Sequence, residues 1–171
     1  HVVSRVSAAA ALPQLEAPVR DFIPVARIAD MLLQPGQSFD YDGGTYQYPD
    51  VRLVYWIGGN PFHHHQDLNR LLTAWEKPET IIVHEPYWTA TAKRADIVFP
   101  AALPVERADI AIGMGDPWLQ WMEPVADPPP GVLTDYEVFS ALAQRLGAWD
   151  RFTENRSARA WVQELYVRTL E

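Results

Sequence analysis

Apolar residues are nearly continuous over positions 51–57 (Val51-Arg52-Leu53-Val54-Tyr55-Trp56-Ile57) and stop at Gly58-Gly59-Asn60-Pro61. A run of that kind, broken only by Arg52, predicts a strand buried on both faces, as in a parallel sheet. Beyond the turn, Leu68, Leu71, Leu72 and Trp75 recur at i, i+3, i+4 and i+7. That stripe predicts an amphipathic helix, which Pro78 ends. Ile81-Ile82-Val83 supplies the next strand, about thirty residues after the first, the size of a βαβ unit. A short helix over 89–95 and a third strand over 97–99 continue the alternation.

Elsewhere the pattern is weaker. Residues 1–20 show no clean period and stay unassigned. Pro24 suits a first helical position, with Ile28, Met31 and Leu32 following at helical spacing until Pro35-Gly36. Residues 39–48 alternate aromatic and polar side chains around Asp42-Gly43-Gly44, which predicts a hairpin. Residues 102–133 read as irregular. Thr134 and Glu137 form a capping-box signature before Tyr136, Phe139, Leu142, Ala143 and Leu146, and Gly147 suits the stop. Trp161, Val162, Leu165, Thr169 and Leu170 mark a last helix. The fold class expected is α/β: a small doubly wound, mostly parallel sheet (Rossmann-like) with helices on both faces. The expected organisation is an N-terminal segment over 1–21, one α/β domain over 22–150 and a helical segment over 151–171.

Composition narrows the classes. The 171 residues are 48% hydrophobic and 21% charged, enough for one ordinary core and unlike a disordered or coiled-coil chain. A net charge of −8 argues against general nucleic-acid binding, which needs a basic surface. No apolar run reaches the roughly 18 residues of a membrane span, so no membrane insertion is expected. His1-Val2-Val3-Ser4-Arg5 lacks the basic-then-apolar plan of a signal peptide. The absence of cysteine removes disulfides and thiolate metal sites from this chain. Prolines gathered near 100–104 and 124–130 point to long ordered loops.

In an open α/β sheet the ligand sits beyond the carboxyl ends of the strands. The residues placed there are Gly58, Gly59, Asn60 and Pro61, then His84 and Glu85, then Pro100 onward. Gly58 and Gly59 suit a turn whose backbone N–H groups approach an anion, or a tight turn with no ligand. Asn60 reads either as an N-cap or as a donor to a phosphate or ring edge. Three adjacent histidines, His63-His64-His65, point about 100° apart on a helix and rarely converge on one ion, so no metal ligands are assigned. An imidazole such as His64 beside a helix start suits phosphate better. Glu85 reads as an acceptor for the N1–H and 2-amino groups of guanine, or as a surface glutamate. Asp135 has the same choice, with a helix-end role as its alternative. Arg107 suits a diphosphate through its planar donors, or a salt bridge to Glu106 or Asp109. Thr89-Ala90-Thr91-Ala92 reads mainly as tight packing. No phosphate loop of the Gly-x-x-x-x-Gly-Lys type and no Gly-x-Ser-x-Gly elbow occurs.

Two motifs taken together are specific: Gly-Gly-Asn-Pro-Phe-x-His-His-Gln-Asp-x-Asn-Arg from Gly58, and Trp-Thr-Ala-Thr-Ala-x-x-Ala-Asp-Ile-Val from Trp88. With Ile23-Pro24-Val25-Ala26-Arg27 and Asp30-Met31-Leu32-Leu33, they resemble the molybdopterin-dinucleotide oxidoreductases, in the branch of dimethyl sulfoxide, trimethylamine N-oxide and biotin sulfoxide reductases. The likeness runs from about residue 22 to 147 and is to the third, α/β domain of that family. It implies a fold gripping one nucleotide arm of molybdenum bis(molybdopterin guanine dinucleotide). Contacts would fall on Gly58, Gly59, Asn60, His64, His84, Glu85, Arg107 and Asp135, and no catalytic residue would lie in this chain. It also implies a longer parent enzyme that reduces S-oxide or N-oxide small molecules, with its remaining domains as partners. This chain is then expected to be a fragment, inactive alone, and the compartment stays open between periplasm and cytoplasm. His84 departs from the polar residue common at its position, and Ala108 stands where this branch usually has asparagine. Two other classes stay in view: a metal-dependent hydrolase built on the histidine cluster, and a non-catalytic interaction module.

Overall fold

The computed structural model describes residues 3–5, 10–14, 22–113 and 117–170. In chain order the elements are β1 (Val3–Arg5), α1 (Ile28–Leu33), β2 (Ser38–Tyr41), β3 (Gly44–Gln47), β4 (Leu53–Ile57), α2 (Pro61–His64), α3 (Leu68–Trp75), β5 (Thr80–Glu85) and β6 (Ile97–Pro100). There follow β7 (Asp109–Ala111), β8 (Trp118–Met122), α4 (Asp135–Arg145), α5 (Trp149–Thr153) and α6 (Ala158–Leu170). The class is mixed α/β, with a parallel three-stranded sheet flanked by helices. The chain divides into two units, Glu16–Pro100 and His1–Leu15 with Ala101–Glu171.

The unit Glu16–Pro100 holds the parallel sheet, in the order β4-β5-β6. Its register pairs Ile57 with His84 and His84 with Phe99. Side chains alternate across a strand. Val54, Trp56, Ile81 and Val83 therefore share the face that packs against Leu32 of α1 and Leu71, Ala74 and Trp75 of α3. Arg70 of α3 pairs with Asp30 of α1 at 2.6 Å. The buried stripe of α3 is thus Leu71, Ala74 and Trp75, while Leu68 and Leu72 lie toward solvent. The expectation of a doubly buried first strand fails for β4, since Leu53 and Ile57 are both exposed. β4 is an edge strand of this sheet, and the central β5 has the deeper burial.

Two local expectations are also corrected. The helix after the glycine turn is broken: α2 lasts four residues, His65 is extended, and Asp67 at φ 46° starts α3 with its carboxylate accepting from Arg70 N–H at 3.1 Å. Asp67 is a local N-cap, and such a cap begins a new helix rather than continuing an old one. The helix expected over 89–95 is a single 3-10 turn, Ala92–Arg94. Asp96 joins the neighbouring strands here. Its backbone N–H donates to Ile81 O at 2.9 Å, and its carboxylate accepts from Ile81 N–H at 2.8 Å. The hairpin forms as expected between β2 and β3. Asp42 and Gly43 both have positive φ at its turn, and Phe39 stacks on Tyr48 at 4.5 Å.

The other unit carries an antiparallel sheet in the order β1-β8-β7. β7 and β8 fall in the stretch read as irregular, and β1 in the unassigned N-terminal stretch, much of which lies outside the described residues. Arg159 of α6 grips Glu123 with two hydrogen bonds of 2.8 Å, and Trp121 of β8 donates to the same carboxylate at 2.9 Å. The Arg159 and Trp121 hydrogen bonds pull the Glu123 carboxyl down to about 2. Thr134 caps α4 as expected, with Thr134 N–H donating to Glu137 at 2.8 Å and Glu137 N–H to the Thr134 hydroxyl at 3.2 Å. Thr134→Ala should cost about 1 kcal/mol, read as a lower urea midpoint, and Thr134→Ser should restore it. Equal midpoints for alanine and wild type would remove the cap from the account.

Candidate functional site

β4 ends at Ile57, level with His84, so the next residues along, Gly58 and Glu85, lie side by side at the carboxyl edge of adjacent strands. Gly58 and Gly59 have φ +72° and +71°. A Cβ at Gly58 would meet nothing within 4 Å, and at Gly59 only His64 Cε1 at 3.8 Å. Conformation rather than space therefore calls for glycine at both positions. The turn is pinned by Trp56, whose indole N–H donates to Gly59 O at 3.2 Å. His64 lines the same turn, with its ring 5.4 Å from that of His65.

Asn60 makes no capping bond to α2 through its side chain. Its Oδ1 instead accepts a hydrogen bond from the hydroxyl of Thr91, which is fully buried. Glu85 shares strand parity with Ile81 and Val83, so it lies on the α1 and α3 side of the sheet. Burial pushes its pKa above the ordinary glutamate value. His84 points the other way. It is 4% exposed, lies 2.9 Å from the Tyr55 hydroxyl through Nε2, and packs edge-on against Phe99 at 5.3 Å. His84 and Glu85, adjacent in sequence, therefore face opposite sides of the sheet.

Arg107 and Asp135 belong to the other unit. Arg107 is ion-paired with Asp109, the salt bridge named as its alternative, and Glu106 turns instead to Leu103 N–H at 2.8 Å. Asp135 is the first residue of α4, next to the Thr134 cap. Among the described residues no group of three or more histidine, aspartate or glutamate side chains is placed to hold a metal ion. His63-His64-His65 do not converge, and burial with the neighbouring His64 lowers the pKa of His65. Also among the described residues, no helix is long and apolar enough to cross a membrane. Two residues of this edge escaped sequence reasoning as participants: Trp56 and Thr91. A hydroxyl side chain shortly past a strand end was the available signal.

The glycine turn thus lies at the carboxyl edge of a parallel sheet, where open α/β sheets offer a crevice, beside a carboxylate, an amide and an imidazole. The molybdopterin oxidoreductase family model matches residues 7–145, and the chain belongs to that family. It is 51% identical over 156 residues to a biotin sulfoxide reductase of Cereibacter sphaeroides, a match covering 91% of this chain and 21% of that protein. A dimethyl sulfoxide/trimethylamine N-oxide reductase of the same organism is 52% identical over 147 residues, covering 84% and 18%. A trimethylamine-N-oxide reductase of Haemophilus influenzae is 44% identical over 146 residues, again covering 84% and 18%. The chain spans about a fifth of the length of these relatives.

Proposed function

We propose that the Gly58–Asn60 turn and Glu85 hold the guanosine diphosphate arm of molybdenum bis(molybdopterin guanine dinucleotide). The reading includes a longer parent polypeptide that reduces S-oxides or N-oxides, with its remaining domains as this chain's partners. The observation that carries it is the pair of positive-φ glycines that directly follows the Ile57–His84 pair at the sheet's carboxyl edge, where Glu85 ends the neighbouring strand. The donor set fits the group. Guanine offers N1–H and a 2-amino group along one edge, which a single carboxylate accepts together. The Asn60 amide and the His64 imidazole suit diphosphate oxygens. His84, already engaged by Tyr55, supports the strand beneath Glu85. When bound, the cofactor supplies the two-electron oxygen-atom transfer chemistry. This chain's residues bind and orient it.

The test is calorimetric titration of the 171-residue chain with GDP and ADP. GDP should bind weakly but more tightly than ADP. Equal binding, or none by a folded sample, would remove the assignment. The preference should also depend on pH. Only ionised Glu85 accepts both guanine donors, so the GDP-to-ADP affinity ratio falls as pH drops through the Glu85 pKa. Because burial raises that pKa, the fall begins at higher pH than for an ordinary glutamate. Phosphate titration affects both nucleotides alike and cancels in the ratio.

A further inference from the structure

The Thr89-Ala90-Thr91-Ala92 segment does more than pack. Thr91 is fully buried, and its hydroxyl reaches across 31 residues of sequence to donate to Asn60 Oδ1. An asparagine carboxamide has two near-isosteric orientations that exchange a donor for an acceptor. With Oδ1 turned to Thr91, the NH2 is the end available to a ligand. A phosphate oxygen is an acceptor and needs that end; the reverse orientation would set oxygen against oxygen.

We propose that Thr91 is a positioning residue: it fixes which end of the Asn60 amide meets the ligand. The proposal rests on the nucleotide-site reading for its consequence, but the hydroxyl contact can be tested without ligand. Thr91 acts through a group directed at phosphate, which every nucleotide has.

The experiment uses the 171-residue chain with Thr91→Val and Thr91→Ser. Valine keeps the shape and removes the hydroxyl; serine returns the hydroxyl. Without ligand, the Asn60 side-chain amide signals should shift or split in Thr91→Val and return in Thr91→Ser. With ligand, Thr91→Val should weaken GDP, IDP and ADP by a common factor of about three- to tenfold. Unchanged Asn60 signals in a folded valine variant would overturn the proposal. If the wild-type chain binds no GDP, the cofactor reading fails while the ligand-free shifts still decide the positioning role. Should the valine variant not fold, the wild type decides: a slowly exchanging Thr91 hydroxyl proton close to the Asn60 side chain supports the proposal, and its absence overturns it.

Discussion

Glu85→Gln should lower the affinity for GDP by about tenfold to a hundredfold while leaving ADP unchanged, which erases the guanine preference. The carboxylate can accept from N1–H and from the 2-amino group at once. Glutamine keeps one acceptor and sets an NH2 against the other guanine donor. That exchanges a charge-assisted hydrogen bond for a donor–donor contact. The range is set by hydrogen bonds to a charged acceptor, worth about 1.5–3 kcal/mol when well shielded and less at a partly open edge. Glu85→Ala should abolish the preference as well. Competition of GDP against ADP by calorimetry reads both variants. A GDP-to-ADP ratio unchanged in Glu85→Gln would show that another group reads the base, or that the base is not read.

Leu71→Ala should have the largest effect on stability. Leu71 is 1% exposed and lies at the centre of the cluster formed with Leu32, Phe62, Trp75, Ile81 and Val83. Truncation forfeits the burial of the removed carbons and leaves a cavity between α3 and the sheet, a combined cost of about 2–5 kcal/mol. That is a large share of the roughly 5–15 kcal/mol by which a typical domain is stable. Leu72→Ala, one residue along and 36% exposed, should cost under about 1 kcal/mol. The pair is an internal control because both make the same chemical change on one helix. Urea unfolding should show a much lower midpoint for Leu71→Ala, with a similar slope. Equal losses at the two positions would mean that the helix face has been wrongly placed.

The same helix shows what the sequence could and could not convey. The apolar positions Leu68, Leu71, Leu72 and Trp75 identify a helix, but a stripe four leucine-sized residues wide does not say which part of it faces inward. Small Ala74, fully buried beside Trp75, settles the face, and its burial is a tertiary fact. The three parallel strands were readable because each apolar run is bounded by glycine or proline. The depth of β4 was not, because burial depends on how many neighbours a strand has. β7 and β8 were hidden for a related reason. β7 is three residues long, and β8 finds one of its two partners at Val3–Arg5, far away in sequence. No local period reports such a pairing.

The site divides in the same manner. Gly58, Gly59, Asn60 and Glu85 were legible from their place at strand ends and His64 from its place beside a helix start, and the structure puts His64 against the Gly59 turn. His84 was placed at the carboxyl end of its strand together with Glu85, and strand alternation puts the two on opposite faces: His84 shares parity with Ile82, not with Ile81 and Val83. Thr91 looked like packing because a small hydroxyl side chain serves either purpose. Only its partner, Asn60, distinguishes the two roles. Arg107 carried two readings, and its ion pair with Asp109 is the one visible in the structure.

The most direct test is an amide chemical-shift map of the isotopically labelled 171-residue chain during titration with GDP, repeated with ADP. The account predicts saturable shifts centred on Gly58, Gly59, Asn60, His64 and Tyr87, with larger shifts next to Glu85 for GDP than for ADP. Shifts confined to other surfaces of a folded chain, or identical maps for the two nucleotides, would contradict it.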